Sequence, residues 1–173
     1  YIPTPGNSFI EFYRNIIMEI GRDTILQYAK EFAGSIYLTY AKKLISDVDK
    51  GILSRSDFPF HLTNPEIVRS NIRRVLREIA GTELPDFPAV IIQLPDKSKE
   101  EIAWKWLCAH RMSLTELRQL EVTTSIDSDS VAVSALTSLI NMLHQIGYGV
   151  VFILVDEIEY FVEQLDERSR RIF

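Results

Sequence analysis

The sequence predicts an α/β fold that is mainly helical, with few strands. Most of its apolar residues recur at helical spacing, as in the stretch from Phe9 to Ile20. One uncharged run, Val150 to Val155, is rich in β-branched residues and suits a buried strand. The 173 residues are 46% hydrophobic and 25% charged, so the chain can bury a core of about one domain.

The N-terminal residues predict a strand end followed by a capped helix. Tyr1 to Pro3 reads as the end of a strand, and the Pro-Gly pair that follows indicates a turn. Ser8 and Glu11 have the spacing of a capping box, which opens a helix that Gly21 ends. Because the chain begins without methionine, we interpret it as part of a longer protein.

The next hundred residues predict further helices. A helical stretch from Asp23 to Asp49 contains Gly34, where an interruption is expected, and Gly51 to His61 is expected to be a loop. Asn64 with Pro65 is a good N-cap and first turn for the following helix.

Two more capping boxes are expected, from Ser98 with Glu101 and from Ser113 with Glu116. The run Val90 to Ile92, which prolines bracket, fits either a helix or a strand. Trp104 and Trp106 cannot share one helix face, so one is expected in the core and the other at a contact surface.

These elements divide the chain into three parts. Residues 1–22 are expected to form one strand of the core sheet, the second in chain order, and the helix that follows it. Residues 23–145 are expected to form a helical insertion, and residues 146–173 an acidic strand with its following helix. Net charge is −5, so no overall positive field attracts nucleic acid. The lone Cys108 favours a reducing, cytoplasmic compartment. No apolar run reaches the roughly 18 residues of a membrane helix, so no membrane contact is expected.

The run from Val150 to Val155 ends in two adjacent carboxylates, Asp156 and Glu157. This is the Walker B pattern, in which a buried strand delivers acids to the ligand-binding edge of a sheet. The first acid would hold Mg²⁺, mostly through water, and the second would orient the water that attacks a nucleoside triphosphate. A plain strand followed by a helix N-cap has the same pattern, so both interpretations stay open from these residues alone.

The phosphate-binding half of such a site is missing from the sequence. A P-loop needs G-x-x-x-x-G-K-[ST], and none of the seven glycines is followed by Lys and then Ser or Thr. We expect that loop to lie before Tyr1, and we expect this chain alone to bind nucleotide weakly or not at all and to be inactive.

Several short motifs occur in an order that resembles one family of prokaryotic ATPases. They are Ile102 to Leu107, Leu114 to Arg118, Ile126-Asp127, Gly147 to Gly149 and Val150 to Glu159. The order is similar to that of the BREX-system ATP-binding domain, a P-loop family related to AAA and STAND ATPases. The resemblance implies a partial P-loop NTPase (AAA-like) core with a large helical insertion, and it favours a helix at Val90 to Ile92.

The resemblance also implies a function. The intact protein would bind and hydrolyse ATP with Mg²⁺, with Asp156 as the Mg²⁺ residue and Glu157 as the catalytic residue. Nucleotide state would then drive conformational change in a defence or DNA-transaction assembly, with protein partners or self-association. The alternative is a non-catalytic helical module, binding protein or DNA, with a degenerate ATPase core.

A candidate surface for DNA contact is the helix that carries four arginines, Arg69, Arg73, Arg74 and Arg77. Arg69, Arg73 and Arg77 lie on one face of the helix that Asn64 caps. Because the net charge is negative, a solvated helix face is favoured over a phosphate-binding one.

Overall fold

A computed structural model describes residues 8–79 and 84–156 of the chain. Its helices are α1 (Phe9–Ile20), α2 (Arg22–Asp49), α3 (Phe58–Thr63), α4 (Pro65–Ile79), α5 (Asp86–Ile91), α6 (Glu100–Leu107), α7 (Leu114–Leu120) and α8 (Asp129–Gln145). In these two ranges the mainly helical character is confirmed. The predicted sheet is not seen there, where β-structure is limited to a single bridge position at Val155.

Helix α1 begins and ends where the sequence predicts. The Ser8 hydroxyl accepts a hydrogen bond from the Glu11 amide at 3.3 Å, which satisfies one of the free N–H groups of the first turn. Gly21 ends the helix with φ of 83°, a conformation that glycine adopts without strain. The buried stripe that includes Tyr13 and Ile17 packs against α8.

Helix α2 is continuous, and the interruption expected at Gly34 is wrong. A glycine inside a helix costs about 1 kcal/mol relative to alanine. The buried residues of α2 form a single stripe at spacings of three and four residues, which maintains the helix through that position. They are Ile25, Ala29, Phe32, Ile36, Tyr40 and Leu44.

The loop expected over Gly51 to His61 is only partly observed, because α3 begins at Phe58. Pro59 lies in the first turn of α3, where its missing N–H removes no helical hydrogen bond. The Tyr40 hydroxyl donates to the His61 carbonyl oxygen at 2.7 Å and ties this short helix to α2. Tertiary contact therefore orders a turn whose local sequence indicates a loop.

Helix α4 confirms the cap at Asn64, whose side-chain oxygen accepts from the amides of Glu66 and Ile67, both at 3.1 Å. The helical interpretation of Val90 to Ile92 is also confirmed, because α5 extends to Ile91 with Ile92 as its C-cap. One carboxylate oxygen of Asp86, in the first turn of α5, accepts from the backbone amides of Thr123 and Thr124 at 2.9 and 2.8 Å. That carboxylate joins α5 to the segment that precedes α8.

The capping box expected at Ser98 is wrong. Helix α6 begins after Lys99, whose side chain makes no capping hydrogen bond. The Ser98 amide and hydroxyl instead bind the Asp96 carboxylate at 2.9 and 2.7 Å, so a local turn competes successfully for the serine.

The capping box at Ser113 and Glu116 is confirmed. The Glu116 carboxylate accepts from the Ser113 amide at 2.7 Å and from the Lys105 ammonium at 2.5 Å. These bonds stabilise the ionised carboxylate, and the bond from Lys105 has the largest effect. Together they lower the pKa of Glu116 from 4.5 to about 2.

This pKa predicts an acid-sensitive contribution to stability. A carboxylate whose pKa falls on folding stabilises the fold above its unfolded pKa of 4.5, and the contribution is lost as pH falls towards about 2. We expect the urea midpoint of unfolding of the wild type to fall as pH is lowered from 4.5 towards about 2, and the midpoint of Glu116→Gln to fall less. Glu19→Gln is the control, because Glu19 makes no hydrogen bond or ion pair with the part of the chain that the structure describes. An equal acid sensitivity in wild type and Glu116→Gln would contradict the prediction.

None of the helices α1 to α8 is both long enough and apolar enough to cross a membrane. Cys108 is buried, and this burial raises the pKa of its thiol to about 11. A thiol with such a pKa stays protonated and unreactive at neutral pH.

Candidate functional site

The segment that carries the acidic motif leaves α8 through a tight glycine turn. Gly147 has φ of 104°, and its amide donates to the His144 carbonyl oxygen at 3.1 Å. The Tyr148 amide donates to the Leu143 carbonyl oxygen at 3.0 Å. This pair of bonds is the Schellman motif, which satisfies the last carbonyl groups of a helix and turns the chain away from its axis.

Gly147→Ala should lower the free energy of unfolding by about 1 kcal/mol, because an alanine is strained at this positive φ. An added Cβ at Gly147 would have no neighbour within 4 Å, so backbone strain is the entire cause. Gly149→Ala is the matched control, since Gly149 has equal space and lacks the positive φ. Chemical denaturation of both variants measures the difference, and equal losses would contradict this account.

Tyr148 then holds the segment against the helical body. Its ring packs edge-on against Tyr28 of α2, with ring centroids 5.4 Å apart and planes at 70°. The pKa of Tyr28 is raised, mainly by its hydrogen bond to Tyr148 and to a smaller extent by its partial burial. The start of the acidic segment is therefore fixed to α2 as well as to α8.

The exposure of the segment alternates with a period of two. Val150, Phe152 and Leu154 are 64%, 83% and 67% exposed, whereas Ile153 is 36% exposed. Val151 and Val155 are half-buried and pack against the core. A period of two is that of an extended chain with one side against the protein and the other outward.

The sequence predicts a buried strand here, whereas the side that bears Phe152 is exposed in the part of the chain that the structure describes. A strand loses solvent on both sides only when a sheet is covered on both sides. In residues 8–79 and 84–156, helices cover one side of this segment alone. A cavity of about 220 Å³ lies between the segment and the helices α1, α2 and α8, and its lining includes Ile16, Tyr28 and Leu139.

Asp156 is exposed at the end of this segment. Glu157, the other predicted site residue, lies outside the described residues, so the structure does not test the pairing of the two acids. In the described ranges, no group of three or more His, Cys, Asp or Glu side chains is arranged to hold a metal ion.

The arginine face of α4 is partly neutralised. Arg69 and Arg73 both form ion pairs with Glu121, with 3.5 Å between the Arg69 and Glu121 atoms. Glu121 follows α7 with φ of 57°, a left-handed conformation that places it at the α7 C-cap. This pairing favours the solvated face over a phosphate-binding one for these two arginines. The side chain of Arg77 lies outside the described residues.

The contact between Tyr28 and Tyr148 was not predicted from the sequence. Tyr148 lies between two glycines, a pattern that indicates a tight turn and gives no sign of a packing partner 120 residues away. The sequence offers one indication of this contact: Tyr148 is an aromatic residue inside a glycine turn, and Tyr28 is a second tyrosine on a long helix.

No curated protein and no solved structure matches the chain. A protein-family model does match it, over residues 26–172, and that model describes the BREX system ATP-binding protein BrxC/D. The matched range covers most of the chain, including the acidic motif and the helices α3 to α8. The chain therefore belongs to the BrxC/D family of ATP-binding proteins of the BREX defence system.

Proposed function

We propose that this chain supplies the metal- and water-handling half of an ATP-hydrolysing site. Asp156 would hold Mg²⁺ through water, and Glu157 would orient the attacking water and accept its proton. The observation that carries the proposal is the extended segment before Asp156, which ends with a carboxylate in solvent. Membership of a family of ATP-binding proteins supports ATP as the nucleotide.

The donor set fits a magnesium ion. Mg²⁺ is typically bound by one or two carboxylates together with water and substrate phosphates, so no larger protein cage is required. Asp156 provides a hard, exposed oxygen donor of this kind. When bound, the ion would neutralise charge on the phosphate oxygens.

The outward apolar side of the segment supports its place in a larger sheet. Phe152 is 83% exposed, and Val150 and Leu154 are about two-thirds exposed. Apolar side chains on both sides are typical of a central parallel strand, and the carboxyl end of such a strand is where nucleotides bind. The phosphate-binding loop, which this sequence lacks, would complete that core.

ATP turnover measured beside ATP binding tests the proposal. In the intact protein that contains this chain, Glu157→Gln should lower ATP turnover by at least about 100-fold and preserve ATP binding. Unchanged turnover would remove Glu157 from the reaction and favour the alternative, a non-catalytic helical module. Coupling of ATP turnover to conformational change in a defence assembly is part of the same proposal, since it requires a working site.

A further inference from the structure

A second cleft, of about 500 Å³, lies at the other end of α1 from the acidic segment. It is formed by the N-terminal half of α1, the turn after α6 and the loop before α8. Ile10 lines this cleft, whereas Ile20 lines the cavity beside Val150. The two sites share no lining residue, so they are separate.

Arg14 is fixed in the wall of this cleft. Its Nε and Nη2 atoms donate to the carbonyl oxygens of Cys108 and Ala109, both at 3.0 Å. These carbonyls follow the C-terminus of α6, where backbone oxygens lack helical partners. Because both acceptors are neutral, they hold the guanidinium in place without neutralising its positive charge. Its other three N–H groups make no hydrogen bond with the residues that the structure describes.

Arg111 and His110 lie beside Arg14 and are exposed. In the part of the chain that the structure describes, neither forms an ion pair with a carboxylate. The acid that lines the same cleft is Asp127, which accepts a hydrogen bond from the Ser125 hydroxyl at 2.9 Å. Two guanidinium groups and one carboxylate therefore line the cleft, in a chain whose net charge is −5. A second carboxylate, that of Asp129, accepts from the amide of the lining residue Ile10 at 3.0 Å but does not itself line the cleft. The cleft is a local positive site on an acidic protein.

We propose that this cleft binds a phosphate group, from either a nucleotide or a nucleic-acid strand. The planar guanidinium donates two parallel hydrogen bonds to phosphate oxygens, and Arg14 is already held in place to do so. The volume lies in the range of small-ligand sites. Ile10 and Met112 provide apolar walls suited to a sugar or a base. The site shares no residue with Asp156 and Glu157, so it goes beyond the proposed ATPase chemistry.

Titration calorimetry of the 173-residue chain with pyrophosphate tests the site. Arg111→Gln removes one charge-assisted contact and should weaken binding about tenfold. Arg118→Gln is the matched control, because Arg118 is an exposed arginine on α7 outside the cleft, and it should change the affinity less than about twofold. Asp127→Asn keeps an acceptor for Ser125 and removes the opposing charge, so it should strengthen binding several-fold.

Competition identifies the source of the phosphate. Displacement of pyrophosphate by AMP supports a nucleotide, and displacement by a short oligothymidylate supports a nucleic-acid strand. Absence of pyrophosphate binding at low salt would overturn the proposal, as would equal losses in Arg111→Gln and Arg118→Gln. The pyrophosphate measurement does not depend on ATP turnover, so failure of the ATPase proposal and failure of this one are distinguishable.

Discussion

Glu157→Gln should lower the ATP turnover of the intact protein by at least about 100-fold, which is the usual contribution of a positioned general base. The amide of glutamine has nearly the same size as the carboxylate but cannot accept a proton from the attacking water. ATP affinity should remain within about threefold of the wild type, because Glu157 is proposed to act on water and not on the nucleotide. Steady-state hydrolysis and equilibrium nucleotide binding measure the two effects separately.

Glu159→Gln is the matched control for this experiment. It removes the same charge two residues further along the chain, at an acid that has no proposed part in the reaction. Turnover of this variant should stay within about twofold of the wild type. A loss in Glu159→Gln as large as that in Glu157→Gln would show that local charge, and not a specific base, is responsible.

Trp106→Ala should lower the free energy of unfolding by about 3–5 kcal/mol, the cost of truncating a large buried aromatic residue. The Trp106 side chain is fully buried. Its ring centroid lies 6.2 Å from that of Phe87, and its indole nitrogen donates to the Thr124 carbonyl oxygen at 2.7 Å. The substitution therefore leaves a cavity and a carbonyl group without its partner.

Trp104→Ala provides the contrast on the same helix. Trp104 is half-buried, and its ring lies 5.9 Å from the guanidinium carbon of Arg22. Loss of this cation–π contact and of partial burial should cost about 1 kcal/mol. Equal destabilisation of the two variants, measured by chemical denaturation, would contradict the assignment of Trp106 to the core.

The assignment of Trp106 to the core could be predicted only in part from the sequence. Spacing alone requires Trp104 and Trp106 to face different directions, which the structure confirms. Which of them is buried depends on Phe87 and Thr124, residues that lie 18 or more positions away along the chain. A local pattern contains no information about such partners.

Some helix ends could also be predicted from the local sequence, whereas others could not. The cap at Ser8 and the capping box at Ser113 were predictable, because both use hydrogen bonds within four residues. The prediction at Ser98 was wrong because a nearby carboxylate, Asp96, offered the serine a competing turn. The break expected at Gly34 was wrong because burial of one long stripe outweighs the cost of a single glycine.

The candidate site was only partly accessible from the sequence. The motif at Asp156 and Glu157 and the glycine at position 147 could be read directly, since each depends on a short pattern. The alternating exposure of Val150 to Val155 could not, because it depends on which side α1 and α8 cover. The roles of the two acids remain a proposal.

By itself, the sequence determined the helical character, most helix ends and the family, because these depend on periodicity, caps and the order of short motifs. The tertiary structure alone decided the contact between Tyr28 and Tyr148 and the convergence of Arg14 with Arg111. Both bring together residues about 100 or more positions apart. Such pairs meet only when the packed helices bury their apolar faces together, and that free energy belongs to the whole fold.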